Sequence, residues 1–262
     1  MKTSSDTIVL IRGGGDLATG VVSRLHQSGF PVIVTELETP LAVRRTVSVA
    51  SAVFEGNLKI EEMEAQLVHS AKEAIEKSHA GLISVMVSPE LPDVNPSVVV
   101  DARLAKKNID TEISDADLVI GMGPGFSAGE DCHMVIETKR GHSLGRVIRT
   151  GSALKDTGIP EPVAGYGGSR VLRSPKDGQI IWNVEIGDHI KENQVIGSIE
   201  ETEILGPFTG IIRGLIHPSV TVKKKMKIGD VDPRISDNWN QISDKALAVG
   251  GGVLEAILSW KQ

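Results

Sequence analysis

The sequence predicts an α/β fold class: a doubly wound parallel sheet, then a small β domain, and then a C-terminal helix. Short unbroken apolar runs alternate with helical patterns in the first half, as expected for strands that are covered on both faces. Short segments broken by frequent turns follow, and a helical segment over about Ser243 to Lys261 comes last. We expect domains over residues 1–165 and 166–235, and a helical segment over 236–262.

Composition excludes several classes of protein. Of the 262 residues, 40% are hydrophobic but only 3% are aromatic, so the core must be built from aliphatic side chains. The net charge of −6 argues against a general nucleic-acid binder, which usually has a basic face. No apolar run approaches the ~20 residues that span a bilayer, and the polar first residues do not resemble a signal peptide. We therefore expect a cytoplasmic protein with no nucleic-acid or membrane partner.

A glycine-rich motif follows the first predicted strand, Ile8 to Ile11. The run from Gly13 to Ala18 fits the pattern G-x-G-x-x-A of Rossmann-like dinucleotide-binding folds. Gly13 allows a tight turn out of the strand, and Gly15 lets a phosphate group approach the backbone. Ala18 is small enough for the new helix to pack close to the sheet.

A helix over about Leu17 to Ser28 and a strand over Val32 to Thr35 complete this predicted strand–helix–strand unit. Glu36 closes the second strand about 20 residues after the glycines, where an acid that binds a ribose is expected. The alternative is that the glycines serve only a tight turn and that Glu36 is an exposed loop acid. The sequence thus predicts a Rossmann-like cofactor-binding domain with these binding residues: Gly13, Gly14, Gly15, Asp16, Ala18 and Glu36.

Further along the chain, apolar residues at spacings of three and four predict an amphipathic helix over about Glu61 to Lys77. Leu82 to Val87, Val98 to Asp101 and Leu118 to Ile120 read as further buried strands. Gly121, Gly123 and Gly125 follow the last of these, where loops form the ligand crevice of a parallel sheet. They are predicted either to face the first glycine motif across a cleft or to form an ordinary turn.

Two adjacent guanidinium groups, Arg44 and Arg45, are candidate partners for phosphate oxygens because arginine binds them in bidentate fashion. The alternative is a solvated charge pair. Cys132 is a candidate catalytic nucleophile or soft ligand, with His133 or His142 nearby in sequence. Its alternative is a small buried hydrophobe. No C-x-x-C or H-E-x-x-H spacing is present, so no metal site is predicted.

The second half resembles the lipoyl/biotinyl-type flattened barrel. Pro175 and Gly178 match the first part of that pattern, and Gly187-Asp188 match its second turn. The hairpin differs from the family, because Glu200 to Ile204 contains no lysine to modify. We therefore expect a lipoyl-like β barrel-sandwich that carries neither biotin nor lipoate.

Longer motifs carry a more specific resemblance. Arg12 to Gly20, together with Ile136 to Val147, resembles the YqeB-type proteins of selenium-dependent molybdenum hydroxylase systems. The matches continue in Gly121 to Gly125, Lys227 to Arg234 and Gly251 to Leu258. This family is similar in role to the xanthine dehydrogenase maturation factors. The resemblance implies an accessory protein that helps to mature the molybdenum cofactor or to supply its labile selenium, with a hydroxylase as client.

The glycine motif itself does not select one cofactor. A pterin dinucleotide and a nicotinamide dinucleotide both carry a pyrophosphate that suits amides at a helix N-terminus. An NAD(P)-dependent oxidoreductase is therefore one alternative, although Tyr166 is followed by Arg170 where the common Tyr-x-x-x-Lys pair would need lysine. A non-catalytic adaptor that docks the hydroxylase is another.

Overall fold

The computed structural model describes residues 4–156, 158, 165–234 and 238–260. Residues 157, 159–164, 235–237 and 261–262, which include parts of the predicted terminal segment, lie outside the described residues. The chain forms two compact units. The first unit comprises Met1–Glu38, Ser48–Asp156 and Ile242–Gln262, and the second comprises Thr39–Val47 and Thr157–Gln241.

The described residues of the first unit contain eleven strands, of which nine form one sheet. These are β1 (Val9–Arg12), β2 (Val32–Glu36), β3 (Asn57–Ile60), β4 (Met63–Val68), β5 (Ile83–Val87), β6 (Val98–Asp101), β7 (Leu118–Met122), β8 (Ser127–Ala128), β9 (Met134–Ile136), β10 (Val147–Ile148) and β11 (Gly151–Ser152). The nine-stranded sheet has the order β10-β9-β7-β6-β1-β2-β5-β4-β3, and β8 pairs with β11 separately.

Seven neighbouring strands of the large sheet run parallel to one another, in the spatial order β9-β7-β6-β1-β2-β5-β4. The two edge strands, β3 and β10, pair antiparallel. Both faces of the central strands are covered, which explains their unbroken apolar runs. Val9 and Ile11 point into one hydrophobic cluster, and Leu10 between them points into another, because side chains alternate along a strand.

Four α-helices occur in the described part of the chain, all in the first unit: α1 (Asp16–Gln27), α2 (Ala52–Glu55), α3 (Ala71–His79) and α4 (Asp244–Trp260). Helix α4 runs without a break through Gly250 to Gly252 and packs against α1. A Cβ atom on Gly20 would overlap the backbone of Ala246, and one on Gly250 would overlap the carbonyl of Gly20. Gly20 of α1 and Gly250 of α4 therefore allow the two helices to cross closely.

The second unit consists of two antiparallel sheets among its described residues. Its strands are β12 (Val171–Arg173), β13 (Ile180–Trp182), β14 (His189–Ile190), β15 (Val195–Ile199), β16 (Thr202–Leu205), β17 (Gly210–Leu215) and β18 (Lys227–Asp232). One sheet has the order β12-β18-β17-β14, and the other has the order β13-β15-β16. Glu200 and Glu201 form the turn between β15 and β16.

The predicted fold class, a Rossmann-like parallel sheet followed by a lipoyl-like barrel-sandwich and a terminal helix, is wrong. The large sheet is mixed, because both of its edge pairs are antiparallel, and it carries few helices. No helix lies between β6 and β7, where residues 102–117 form a loop. The second unit has separate four- and three-stranded sheets, and α4 belongs to the first unit. Apolar runs identify buried strands but give neither their direction nor their neighbours. The pattern therefore could not show that the edge strands of this sheet are antiparallel.

The predicted helix over Glu61 to Lys77 is also wrong in its first half. Met63–Val68 forms β4, and α3 begins only at Ala71. Met63, Ala65 and Val68 are buried, so the same apolar spacing serves a strand. No helix within the described residues is both long enough and apolar enough to cross a membrane.

Candidate functional site

The strand register brings the ends of four parallel strands to one edge of the large sheet. Arg12, the last residue of β1, lies beside Thr35 of β2 on one side and Asp101 of β6 on the other. Asp101 in turn lies beside Gly121 of β7. Loops at this edge form the ligand crevice in parallel sheets, so the candidate site is built around the residues that follow these strands.

Gly13 and Gly14 form a turn between β1 and α1 that only glycine can occupy. Gly13 has a φ of +89° and donates its N–H to the carbonyl of Thr35 at 2.8 Å. A Cβ on Gly14 would lie 2.9 Å from the amide nitrogen of Ala50. That amide donates to the carbonyl of Gly14 at 2.9 Å, so the segment at Ala50 covers the turn.

Thr19 ties the glycine turn to the same covering segment from inside α1. Its hydroxyl lies 3.0 Å from the carbonyl oxygen of Gly15 and accepts the N–H of Val49 at 3.0 Å. Thr19 is fully buried. These bonds fix the backbone of the turn on two sides, which gives a preorganised rather than a mobile loop.

Gly15 is the open position of the turn. It is the N-cap residue of α1, with extended backbone angles and no side-chain cap. An added Cβ there would meet nothing within 4 Å, and no described residue accepts a hydrogen bond from its N–H. Asp16 stands in the first turn, and Ala18 is buried in the core. The start of α1 is therefore open to a group that approaches the backbone of Gly15.

Glu36 braces the glycine turn from the end of β2. One carboxylate oxygen accepts the N–H of Gly14 at 2.7 Å, and the other accepts the N–H of Leu37 at 2.9 Å. Burial raises the pKa of this carboxyl group, and the two backbone hydrogen bonds oppose that rise. In the structure the carboxylate of Glu36 therefore stabilises the turn. Its predicted role in ribose binding stays a prediction.

A network of charged side chains lies directly beside the glycine turn, and the sequence analysis did not find it. Arg12 is 3% exposed and pairs with Asp110 at 2.8 Å. Arg12 also donates to the hydroxyl of Thr111 at 3.0 Å and to the carbonyl of Pro89 at 3.5 Å. A fully desolvated guanidinium requires such partners, because an unpaired buried charge is costly.

Arg103 joins the same network from the loop after β6. Its guanidinium holds the buried carboxylate of Asp101 and also reaches Asp110 at 2.7 Å. The hydroxyl of Thr111 donates to Asp101 at 2.6 Å. The guanidiniums of Arg12 and Arg103 lower the pKa of Asp110. A Cβ on Gly13 would lie 3.1 Å from Cα of Arg103, so the network adjoins the turn.

The second glycine segment is filled by protein. A Cβ on Gly121 would overlap the ring of Phe126, and one on Gly123 would lie 2.6 Å from the hydroxyl of Thr138. Gly125, with a φ of +109°, would meet Cα of Lys107 at 2.5 Å. These contacts explain the glycines by packing and conformation, which favours the interpretation as an ordinary turn. A ligand role for Gly121, Gly123 and Gly125 stays a prediction.

Arg44 and Arg45 belong to the second unit, whereas the glycine turn belongs to the first. Arg44 is buried and donates to the carbonyls of Trp239 and Gln241, at 3.3 and 3.1 Å. Arg45 donates to the carbonyl of Leu215 at 2.8 Å. These bonds hold their segment within the second unit. The predicted contact of the two arginines with phosphate stays a prediction.

Cys132 is fully buried, and its sulfur lies 3.3 Å from the carbonyl oxygen of Met134. Burial raises the pKa of its thiol to about 11. At neutral pH the thiol is therefore protonated, which favours the interpretation as a buried hydrophobe over that of a nucleophile. His133 accepts the N–H of Val119 through Nδ1 at 3.0 Å and contacts the ring of Trp260. In the described ranges, no three His, Cys, Asp or Glu side chains are grouped so that they could hold a metal ion.

The chain is similar to one curated protein over nearly all of its length. It is 47% identical over 259 residues to a protein of Escherichia coli strain K12 named "Uncharacterized protein YqeB". The match covers 97% of this chain and 48% of that protein, so the chain spans about half the length of this relative. The predicted resemblance to YqeB-type proteins is confirmed by this match. The relative's name states no activity, so the predicted link to selenium-dependent molybdenum hydroxylases stays a prediction.

Two further comparisons add little. No family model matches the chain. Among solved structures, a succinylglutamate desuccinylase/aspartoacylase from Rhodobacter sphaeroides is similar at 14% identity, with a TM-score of 0.29. That likeness covers 88% of this chain and 86% of the other. At this TM-score it supports no inference about fold or activity.

Proposed function

We propose that this protein is an accessory protein in the maturation of selenium-dependent molybdenum hydroxylases, and that it holds a phosphate-bearing cofactor at the turn between β1 and α1. The observation that carries the proposal is the open backbone of Gly15 at the start of α1. The motifs shared with YqeB-type proteins supply the pathway. A pterin dinucleotide is the cofactor that fits both the open turn at Gly15 and this pathway.

The chemistry of the turn suits a pyrophosphate. Backbone amides at a helix N-terminus point at the ligand, and the helix dipole favours negative charge there. Gly15 leaves the space for a phosphate oxygen, while Glu36, Thr19 and Ala50 hold the neighbouring backbone through hydrogen bonds. A turn fixed in this way loses little entropy when a ligand binds.

In this proposal the chain binds and presents the cofactor, and the client hydroxylase performs the oxidation of substrate. The molybdenum cofactor supplies redox chemistry once it is in the client. The residues described here bind its phosphate end. Nothing in the proposal requires a nucleophile, which agrees with the buried thiol of Cys132.

A matched pair of variants tests the proposal. Gly15→Val places a branched side chain where the phosphate oxygen would lie, in a position where the added Cβ meets nothing within 4 Å. Gly251→Val makes the same change at another glycine of the first unit whose added Cβ meets nothing within 4 Å. Both variants should fold, because neither glycine has a positive φ.

The readout is the binding of molybdenum cofactor released from a hydroxylase, followed by molybdenum content and pterin fluorescence. Wild type and Gly251→Val should retain the cofactor, and Gly15→Val should lose it. Retention by Gly15→Val would overturn the proposed site. A nicotinamide dinucleotide found in its place would support the oxidoreductase alternative, and capture of the hydroxylase without any cofactor would support the adaptor.

A further inference from the structure

We propose that Arg12 and Arg103 form a binding site for a phosphate group, and that the carboxylate of Asp110 occupies this site as an internal anion until a phosphate displaces it. The inference deepens the proposed function, and it rests on that function only for the identity of the natural ligand. The site itself is tested with inorganic phosphate and inorganic pyrophosphate.

Arg12 is built as an anion receptor. Its side chain is 4% exposed, and Asp110 is its only carboxylate partner among the described residues. Asp110 receives both terminal nitrogens, Nη1 at 2.8 Å and Nη2 at 3.1 Å. This bidentate arrangement is the one that guanidinium groups also make with phosphate. If Asp110 leaves, a buried positive charge is left that another anion must compensate.

Arg103 adds a second guanidinium to the same carboxylate. Its Nη2 donates to Asp110 at 2.7 Å and to the hydroxyl of Thr111 at 3.0 Å. Asp101 pairs with the same Nη2, and with Nε, through its buried carboxylate. One oxygen of Asp110 is thus shared by two cationic side chains, Arg12 and Arg103. A phosphate, with more oxygens and up to two charges, satisfies these donors better than one carboxylate does.

Asp110 is the member of the network that can leave. Its side chain is 48% exposed, whereas those of Arg12 and Asp101 are almost completely buried. It lies in the loop of residues 102–117, which contains no helix or strand. Asp110 itself belongs to neither hydrophobic cluster of the first unit. The backbone and Cγ of Arg103 lie against Gly13, so the residue that carries this guanidinium starts beside the glycine turn.

The test compares two exposed, cation-paired aspartates. Asp110→Asn removes the internal anion but keeps the side chain's size. Asp177→Asn is the control, since Asp177 is exposed and pairs with Lys223 at 3.1 Å in the second unit. Phosphate and pyrophosphate are titrated by calorimetry into wild type and both variants at one ionic strength.

Asp110→Asn should bind phosphate at least about tenfold more tightly than wild type, because a site that is mostly occupied internally weakens apparent affinity by its open fraction. Asp177→Asn should match wild type. Equal affinity in all three proteins would overturn the inference. If Asp110→Asn fails to fold, hydrogen exchange on wild type decides. Added pyrophosphate should speed exchange in residues 104–117 and leave residues 176–178 unchanged, and no change in the first segment would refute the site.

The two proposals fail separately. If Asp110→Asn shows no gain but Gly15→Val still abolishes cofactor binding, only the arginine site is wrong. If Asp110→Asn gains phosphate affinity but Gly15→Val keeps the cofactor, the arginine site stands and the glycine turn is not the cofactor site. A further outcome is that Asp110→Asn binds pyrophosphate more tightly than phosphate and loses this difference when Gly15→Val is added. That result would assign the ligand as a diphosphate that spans the arginine site and the glycine turn. Equal binding of the two probes would assign free phosphate.

Discussion

Replacing Gly250 with alanine should destabilise the first unit, whereas the same replacement at Gly251 should stabilise it. A Cβ on Gly250 would lie 2.7 Å from the carbonyl carbon of Gly20, closer still to its oxygen, and 3.0 Å from Cγ of Arg24. A Cβ on Gly251 would meet nothing within 4 Å. The two positions are adjacent in α4, so they share helix context and differ in what faces them.

The magnitudes follow from two opposing effects. Alanine is favoured over glycine in a helix interior by ~1 kcal/mol, which is the whole effect expected at Gly251. At Gly250 the same gain is opposed by overpacking, which typically costs about 1–3 kcal/mol. The upper part of that range applies because the group met is a backbone carbonyl of α1, which cannot rotate away as a side chain would. The two variants should therefore differ by about 2–3 kcal/mol in the free energy of unfolding.

Urea-induced unfolding followed by circular dichroism measures this difference, with the dependence on urea concentration as the control for an unchanged transition. In thermal unfolding the same difference corresponds to roughly 5–10 °C. If both variants unfold at the same urea concentration, α1 and α4 do not cross as closely as described, and the account of the α4 glycines is wrong.

Two other predictions concern buried polar groups. Thr19→Val leaves the buried N–H of Val49 without its acceptor and should cost about 1–3 kcal/mol of stability, whereas Thr19→Ser keeps the hydroxyl and should cost less, as urea unfolding would show. For Cys132, whose pKa rises from 9.0 to about 11 on folding, the folded state keeps its proton while the unfolded state loses it. The contribution of this thiol to the free energy of unfolding is complete below pH 9 and is lost as the pH rises through 11, a loss of up to about 3 kcal/mol. Cys132→Ala should lack this pH-dependent loss. A thiol that reagents label rapidly at neutral pH in the folded protein would contradict that assignment.

The glycine turn could be predicted from the sequence because its pattern encodes backbone requirements. Gly13 needs a positive φ, Gly14 has no room for a side chain, and Gly15 opens the helix. These are local properties of residues that are consecutive in the chain. The strand before the turn and the acid that closes the next strand are local in the same sense.

The arginine network could not be predicted in this way, because it depends on the pairing of β1 with β6. Arg12 and Asp101 lie side by side through strand register, and Asp110 reaches Arg12 from a loop that shows no periodic pattern. One signal was present: Asp101 closes an apolar strand as Glu36 does, and polar residues at such ends point to the crevice. The second glycine segment is the converse case, since spacing alone does not show that Phe126 and Lys107 fill it.

The beginning of α3 had a readable signal as well. Ser70 is its N-cap and accepts the N–H of Glu73 at 3.2 Å, the S-x-x-E arrangement that marks a helix N-terminus. Giving that cap priority over the apolar spacing would have ended the preceding element near Val68. The apolar spacing in β4 fits a helix and a strand equally well, so periodicity alone could not separate them.

The central claim, that the turn at Gly15 holds a cofactor during hydroxylase maturation, is tested most directly in cells that lack the natural copy of this protein. Such cells receive wild type, Gly15→Val or Gly251→Val, and the molybdenum hydroxylase is purified from each to measure activity and labile selenium per polypeptide. Wild type and Gly251→Val should restore both quantities, while Gly15→Val should leave the hydroxylase polypeptide present but inactive or without labile selenium. Full activity and normal selenium with Gly15→Val, or in cells that receive no copy, would contradict the account.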